Sequence, residues 1–186
     1  AAEIINGAKK PMIVWGQGVI LAHAEEQLKA MIEKTGIPAA WTILGASAIS
    51  TSHPLNIGMV GMHGNYAPNV LTNDCDVLIA IGMRFDDRVT GKLDEYAKQA
   101  KIIHFEIDPA EVDKNVKTDV AVLGDAKESL TQILPLLAIG TLGNLFPAYL
   151  FTSAVSSIPS AIVGMLNALT PLFTMIVAAF VFKTVV

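Results

Sequence analysis

The stretch Gly82-Met83-Arg84-Phe85-Asp86-Asp87-Arg88-Val89-Thr90-Gly91-Lys92 decides how this chain is read. It follows five apolar residues, 77–81, bounded by Asp76 and Gly82. A short apolar run with such bounds predicts a strand buried on both faces, the kind found in the middle of a parallel sheet. In open α/β sheets, ligands lie just beyond the carboxyl ends of such strands. Here that place holds two arginines, two adjacent aspartates and flanking glycines. Arg84 and Arg88 carry planar donor forks suited to phosphate or carboxylate. Gly82 lets a ligand come close to the backbone.

The segments on either side repeat the strand-then-turn pattern. Pro11-Met12-Ile13-Val14-Trp15 predicts a first strand, preceded by a short helix-like piece over 2–9. Gly16-Gln17-Gly18 makes the turn out of it, and 25–35 reads as an amphipathic helix ended by Gly36. Leu21 stands where a dinucleotide fingerprint would carry its third glycine, so a tight strand-to-helix turn accounts for Gly16 and Gly18 as well as a nucleotide site does. A second strand over 37–41 leads into Thr42-Ile43-Leu44-Gly45. Residues 46–56 read as loop, and 58–64 contain three glycines, a density that lets backbone N–H groups face an anionic or planar ligand. Further on, helix is expected at 66–73, strand at 77–81, helix at 93–99 and strand at 101–107. Asp108-Pro109 then starts another helix, 120–123 is a fifth strand, Gly124-Asp125 a turn, and 126–134 the last helix. Such alternation predicts an α/β fold, a doubly wound parallel sheet of five or six strands with helices on both faces and right-handed crossovers.

Composition divides the 186 residues in two, 1–136 and 137–186. From residue 129 onward the only charged side chain is Lys183. The net charge of −4 offers no basic patch for nucleic acid. The first residues lack the basic-then-apolar form of a signal peptide. One cysteine, Cys75, excludes an internal disulfide framework; beside Asp74 and Asp76 it reads as a small packed thiol. Residues 136–155 and 161–182 carry no charge, and each run reaches the roughly 20 residues needed to cross a bilayer. The turn Ser156-Ser157-Ile158-Pro159-Ser160 between them predicts a two-helix transmembrane hairpin. Lys114, Lys117, Lys127 and Lys183 flank the two spans, which puts the leading domain on the cytoplasmic side. If the tail is not inserted, the location is the cytoplasm itself. Asn144 and Asn167 would need partners in lipid, across the hairpin or in a second copy, which makes a homo-oligomer conceivable.

Little in the sequence suggests acid–base or metal chemistry. Asp86 and Asp87 are neighbours whose side chains point apart on an extended loop, and no third ligand is suitably spaced, so no metal site is predicted. His104 falls in a strand and reads as packed, His23 and His53 as solvated, and His63 sits in the glycine-dense loop. No Ser-His-Asp or Cys-His arrangement is present, and no catalytic residue is assigned.

Three segments occur together: Gly58-Met59-Val60-Gly61-Met62-His63-Gly64, the 82–92 stretch, and Ile107-Asp108-Pro109-Ala110-Glu111-Val112. In this order and spacing they resemble the central domain of the large subunit of acetohydroxyacid (acetolactate) synthase, a thiamine-diphosphate enzyme family of branched-chain amino-acid biosynthesis. The likeness covers roughly residues 10–136. It implies FAD along the sheet edge. Gly16 and Gly18 would approach the flavin nucleotide, followed by Thr42 and Ile43, then Val60, Gly61, Met62 and His63. Gly82, Met83, Arg84, Phe85 and Asp86 come next, with Arg84 meeting phosphate. Glu106, Ile107, Asp125 and Ala126 would lie at the adenosine end, Glu106 standing where the family often has aspartate. Asp87 and Arg88 would face the substrate channel. Thiamine diphosphate and magnesium belong to the complete enzyme, whose Gly-Asp-Gly motif does not occur here, so the remaining synthase domains or subunits are expected as partners.

The tail resembles something else. Ala138-Ile139-Gly140-Thr141-Leu142-Gly143 and Asn167-Ala168-Leu169-Thr170-Pro171-Leu172-Phe173 are similar to two adjacent helices of the drug/metabolite transporter (EamA-like) superfamily. The leading expectation is a synthase fragment supplying the FAD-binding domain and inactive alone. The alternative is a membrane-anchored chimera, or a transporter-like membrane protein with a soluble α/β domain.

Overall fold

The computed structural model describes residues 1–140. The predicted hairpin, Asn144, Asn167 and nearly all of the transporter-like motifs lie outside the described residues. Residues 1–140 form one compact unit.

Six parallel strands build the sheet: β1 (Pro11–Trp15), β2 (Ala39–Trp41), β3 (Asn56–Met59), β4 (Val77–Ile81), β5 (Lys101–Glu106) and β6 (Val120–Leu123). Their order is β3-β2-β1-β4-β5-β6. The chain therefore starts in the middle, winds out to β3, returns to β4 on the other side of β1, and winds out to β6. β1 and β4 pair over their whole length, from Pro11 opposite Val77 to Trp15 opposite Ile81. The direction of winding reverses between these two strands, and a crevice opens at their carboxyl ends.

Every residue of β4 is buried, as its apolar run requires, whereas edge strand β6 alternates between half-buried and exposed. Alternation along the strands feeds two cores. Ile13, Trp15, Ile79, Ile81, Ile103 and Phe105 face one, together with Ile5, Leu28, Met31, Ile32, Leu130 and Ile133 from helices α1 (Ala2–Gly7), α3 (Glu25–Thr35) and α6 (Ala126–Gly140). Met12, Val14, Leu78, Ala80 and Ile102 face the other, with Met83, Phe85, Tyr96 and Ala97 from the segment after β4. Helix α4 (Tyr66–Asp74) joins that side through buried Thr72, whose hydroxyl lies 3.7 Å from the Met12 sulfur. Helix α3 ends as its sequence predicts. Gly36 takes the left-handed conformation, φ 68°, and its N–H donates to Ile32 O at 2.9 Å.

The structure corrects several local expectations. Residues 56–59, read as loop and glycine-dense turn, form edge strand β3, with an irregular register against β2. The helix expected over 93–99 is a single 3-10 turn at Leu93–Glu95. Ala97 adopts φ 45°, and Tyr96 and Ala97 are buried in the second core, so packing the sheet face overrides helix continuation. The element after Asp108-Pro109 is likewise one 3-10 turn, Pro109–Glu111. His53 is not solvated: its side chain is only 12% exposed, with Nδ1 accepting the Leu55 N–H and Nε2 3.5 Å from Glu33. Helix α6, expected over 126–134, continues to Gly140 with Pro135 inside it.

Candidate functional site

The site is built from the turns that leave the strands at their carboxyl ends. After β4 the chain turns at Gly82, φ 55°, whose N–H donates to Phe105 O of β5 at 2.8 Å. The Gly82 carbonyl accepts the N–H of Gly18, the second residue of α2 (Gln17–Leu21), at 2.9 Å. Gly16 N–H closes onto Ile81 O at 3.0 Å. A Cβ on Gly16 would stand 2.5 Å from Gly82 O, so the turns after β1 and β4 touch backbone to backbone. On the β2 side, Thr42 N–H donates to Trp15 O, and the buried Trp15 indole N–H donates to Gly45 O, both at 2.9 Å.

A third wall comes from the glycine-dense loop after β3. Three consecutive peptide N–H groups fasten it to three different elements. Val60 N–H donates to Trp41 O of β2 (2.9 Å), Gly61 N–H to Asn69 Oδ1 of α4 (2.8 Å), and Met62 N–H to Arg88 O (2.7 Å) in α5 (Asp87–Thr90). Asp86 caps that short helix by accepting the Val89 N–H.

The fourth side is the end of β5. Glu106 Oε1 accepts the N–H groups of Ile107 and Asp108 at 2.9 and 3.2 Å. Its other oxygen lies 3.6 Å from Nε2 of the fully buried His104. Burial pushes the Glu106 carboxyl up, but the interactions with His104 and the two backbone N–H groups outweigh it and hold the pKa below the ordinary 4.5. Glu106 is thus an ionised, acceptor-only group at neutral pH. Nε2 of His104 meets Met83 O at 2.8 Å, and a carbonyl can only accept, so the proton sits on Nε2. Nδ1 is left buried without a hydrogen-bond partner.

These turns enclose a cavity of about 750 Å3, within the range of small-molecule and cofactor sites. Of the residues singled out in the sequence, Gly18, Thr42, Ile43, Val60, Met62 and His63 line it. So do Gly82, Met83, Arg84, Asp86, Arg88, Glu106 and Ile107. Gly16 and Gly61 lie behind the lining as backbone supports. Phe85 turns away into the second core, edge-on to His104 (ring centroids 4.9 Å apart) and to Tyr96 (6.1 Å). Asp125 accepts the Lys127 and Glu128 N–H groups at the start of α6, Ala126 is buried in the first core, and neither reaches the cavity. Asp87 opens α5 and is exposed outside the lining.

Gln17, Leu21, Leu44, Met59 and Val89 also line the cavity, and the signal for them in the sequence is position: each is within three residues of a turn residue expected at the site. Around the mouth, Leu21, Ile43, Leu44, Met62 and Ile107 are each more than half exposed and form an apolar rim. The cavity therefore offers an apolar rim, two guanidinium groups and two carboxylates, Asp86 and Glu106, each fixed by backbone N–H groups. No group of three or more His, Cys, Asp or Glu side chains that could hold a metal ion occurs among the described residues.

Residues 1–133 match the thiamine pyrophosphate enzyme central domain. The chain belongs to that family. It is 48% identical over 137 residues to a probable acetolactate synthase large subunit of Methanocaldococcus jannaschii, covering 74% of this chain and 23% of the relative. It is 48% identical over 137 residues to an acetolactate synthase large subunit of Mycobacterium tuberculosis (74% and 22%), and 48% identical over 134 residues to one of Corynebacterium glutamicum (72% and 21%). The chain thus spans about a fifth of the length of the curated relatives it matches. Residues 120–186 match the EamA-like transporter family, so the two matches overlap on β6 and the start of α6. This thiamine-pyrophosphate-enzyme central domain has its cavity at the reversal point of a six-stranded parallel sheet. Among the described residues, no helix is long and apolar enough to cross a membrane.

Proposed function

We propose that residues 1–140 are the FAD-binding central domain of an acetolactate-synthase-type enzyme, and that the 186 residues do not condense 2-keto acids by themselves. The observation that carries this reading is the joint between Gly18 and Gly82 at the head of β1 and β4. Their backbones meet where any Cβ would intrude, and this leaves a cavity floor of main chain open to a long flat ligand. The residues fit FAD. Apolar Leu21, Ile43, Leu44 and Met62 suit a ring system, Arg84 suits the diphosphate, and Glu106 can accept from ribose hydroxyls. FAD bound there supplies packing surface and domain order in place of acid–base groups. Arg84 holds negative charge, the Gly82 backbone keeps the floor low, and Glu106 with Ile107 fixes the far end. Thiamine diphosphate and magnesium would be held by parts of the enzyme outside these residues, and the condensation of 2-keto acids depends on them.

The test is titration of the purified chain with FAD, followed by flavin fluorescence, beside an assay for acetolactate from pyruvate. Quenching that saturates, with no acetolactate, supports the reading. Absence of any flavin binding overturns the first half, and acetolactate formed by the chain alone overturns the second.

The EamA-like match over 120–186 favours a second reading of the remainder: a bilayer-seated tail that holds the α/β domain at the cytoplasmic face. Fractionation of cells expressing the full chain tests it. Recovery in washed membranes supports a membrane seat, and recovery in the supernatant removes it.

A further inference from the structure

Asn69 lies outside the cavity lining, on α4, yet its amide grips the loop that forms the cavity's third wall. Its Oδ1 accepts the Gly61 N–H at 2.8 Å, and its Nδ2 donates to the Gly61 carbonyl at 3.0 Å. One carboxamide thus pairs with both polar atoms of one residue, as a neighbouring strand would. Gly61 needs such a hold. It is buried, its φ is 99°, and a Cβ there would lie 2.6 Å from Arg88 O, so the wall runs directly against the turn that carries Arg88. Met62 N–H donates to that same Arg88 O. Val60, Met62 and His63, which flank Gly61, face the cavity.

We propose that Asn69 is the positioning residue of the ligand cavity: its side-chain amide clamps Gly61, and through Gly61 it sets the wall 60–63 against the Arg88 turn. The inference deepens the flavin reading, and only its affinity arm rests on that reading. Helix α4 supplies a fixed post, because Asn69 O itself accepts from Asn73 Nδ2 (3.1 Å) and Asn65 Oδ1 ties Met59 N–H (2.9 Å) to the start of the helix. No other side chain among the described residues pairs with both the N–H and the carbonyl of Gly61.

The variants Asn69→Asp and Asn69→Ala separate clamping from packing. Aspartate has nearly the shape of asparagine and keeps the acceptor for the Gly61 N–H. It loses the donor, however, and sets a negative oxygen against the Gly61 carbonyl. A packing role tolerates Asp better than Ala; a clamp tolerates Asp no better than Ala. In the full chain, amide hydrogen exchange is read over 58–64 with β1, β4 and β5 as internal references. Both variants are expected to speed exchange in 58–64 and leave the three strands unchanged. They are also expected to weaken FAD binding about tenfold, as loss of one or both of these part-buried hydrogen bonds from the cavity wall implies. Unchanged exchange in 58–64, or exchange restored in the Asp variant alone, overturns the clamp. Faster exchange with undiminished flavin affinity overturns its role in the cavity. If the wild-type chain takes no flavin at all, the flavin reading fails, and the exchange result alone decides whether Asn69 sets the wall. Should the Asp variant fold poorly, Asn69→Leu, close to asparagine in size but without its polar atoms, takes its place: a packing role tolerates Leu better than Ala, and a clamp does not.

Discussion

Gly18 and Gly82 meet face to face at the head of the sheet: a Cβ on Gly18 would lie 2.6 Å from the Gly82 Cα, and a Cβ on Gly82 2.7 Å from the Gly18 Cα. No rotamer relieves an overlap between a Cβ and backbone. Gly82→Ala adds left-handed strain at φ 55° of about 1–2 kcal/mol, and overpacking adds about 1–3 kcal/mol more. Gly18→Ala carries the overpacking without the strain. Chemical denaturation should place both variants below wild type, with Gly82→Ala the lower. Wild-type midpoints for either would show that the two turns are not in contact.

Arg84 is exposed on the cavity wall and makes no ion pair with the described residues, so its charge is free for a ligand. Replacement by alanine should leave folding intact and weaken FAD binding by about 1.5–3 kcal/mol, the value of a hydrogen bond to a charged group. That is roughly ten- to a hundredfold in Kd. Flavin fluorescence titration measures it, and the effect should shrink as salt is raised. Equal affinity in wild type and variant would remove Arg84 from the phosphate site.

Glu106 gives stability a defined acid limit. Its pKa in the folded protein is depressed below the ordinary 4.5, so its contribution is fully present above 4.5 and fades as pH falls through the lower folded value. Glu106→Gln keeps a side-chain oxygen for the Ile107 and Asp108 N–H groups and removes the titration. Wild type should therefore exceed the Gln variant in stability at pH 6, and the gap should narrow steadily below 4.5. Parallel pH profiles for the two proteins would contradict the assignment.

Cys75 should be inert until the protein opens. The thiol is 3% exposed, lies 3.1 Å from Thr72 O, and is pushed up to about 12, chiefly by burial and then by the neighbouring Asp76 charge. At pH 8 the thiolate fraction is then on the order of one in ten thousand. A thiol reagent should react slowly with native protein and at once in denaturant, which makes Cys75 a built-in reporter of unfolding. Fast labelling under native conditions would show that the α4–β4 junction opens locally.

The central strands were legible because burial on both faces leaves an unbroken apolar signature. Residues 77–81 show it most clearly and 11–15 follow, while 101–105 opens on exposed Lys101 and carries buried His104 within its apolar run. Edge strand β3 was not, since the alternation in Asn56-Ile57-Gly58-Met59 is only four residues long and includes a glycine, and its place is set by pairing with β2. Residues 93–99 have helix-forming composition, but the exposed second face of the sheet needed Tyr96 and Ala97 as cover, a demand that local propensity does not contain. At the site, the turns carrying Gly18, Gly82, Arg84 and Glu106 could be named because strand ends are readable. Phe85 could not be told from its neighbours. The direction of one side chain in a turn depends on what lies beneath it, here His104 and Tyr96. Leu21 and Leu44 are apolar residues left at a sheet edge, and only the assembled rim shows that they belong together.

The three amides of Val60, Gly61 and Met62 also have a consequence for the order of folding. Their acceptors belong to β2, α4 and α5, elements formed by chain both before and after the loop itself. A partly folded chain with β1, β2 and β3 in place has only one of the three ties, and the loop stays loose until α4 docks and the chain has crossed over to complete β4 and its turn. The pocket wall is therefore complete only when both halves of the sheet are in place. A chain holding β1, β2 and β3 alone, half of the six strands, lacks two of the three ties, so the kinetics of flavin capture during refolding would report when the two halves join.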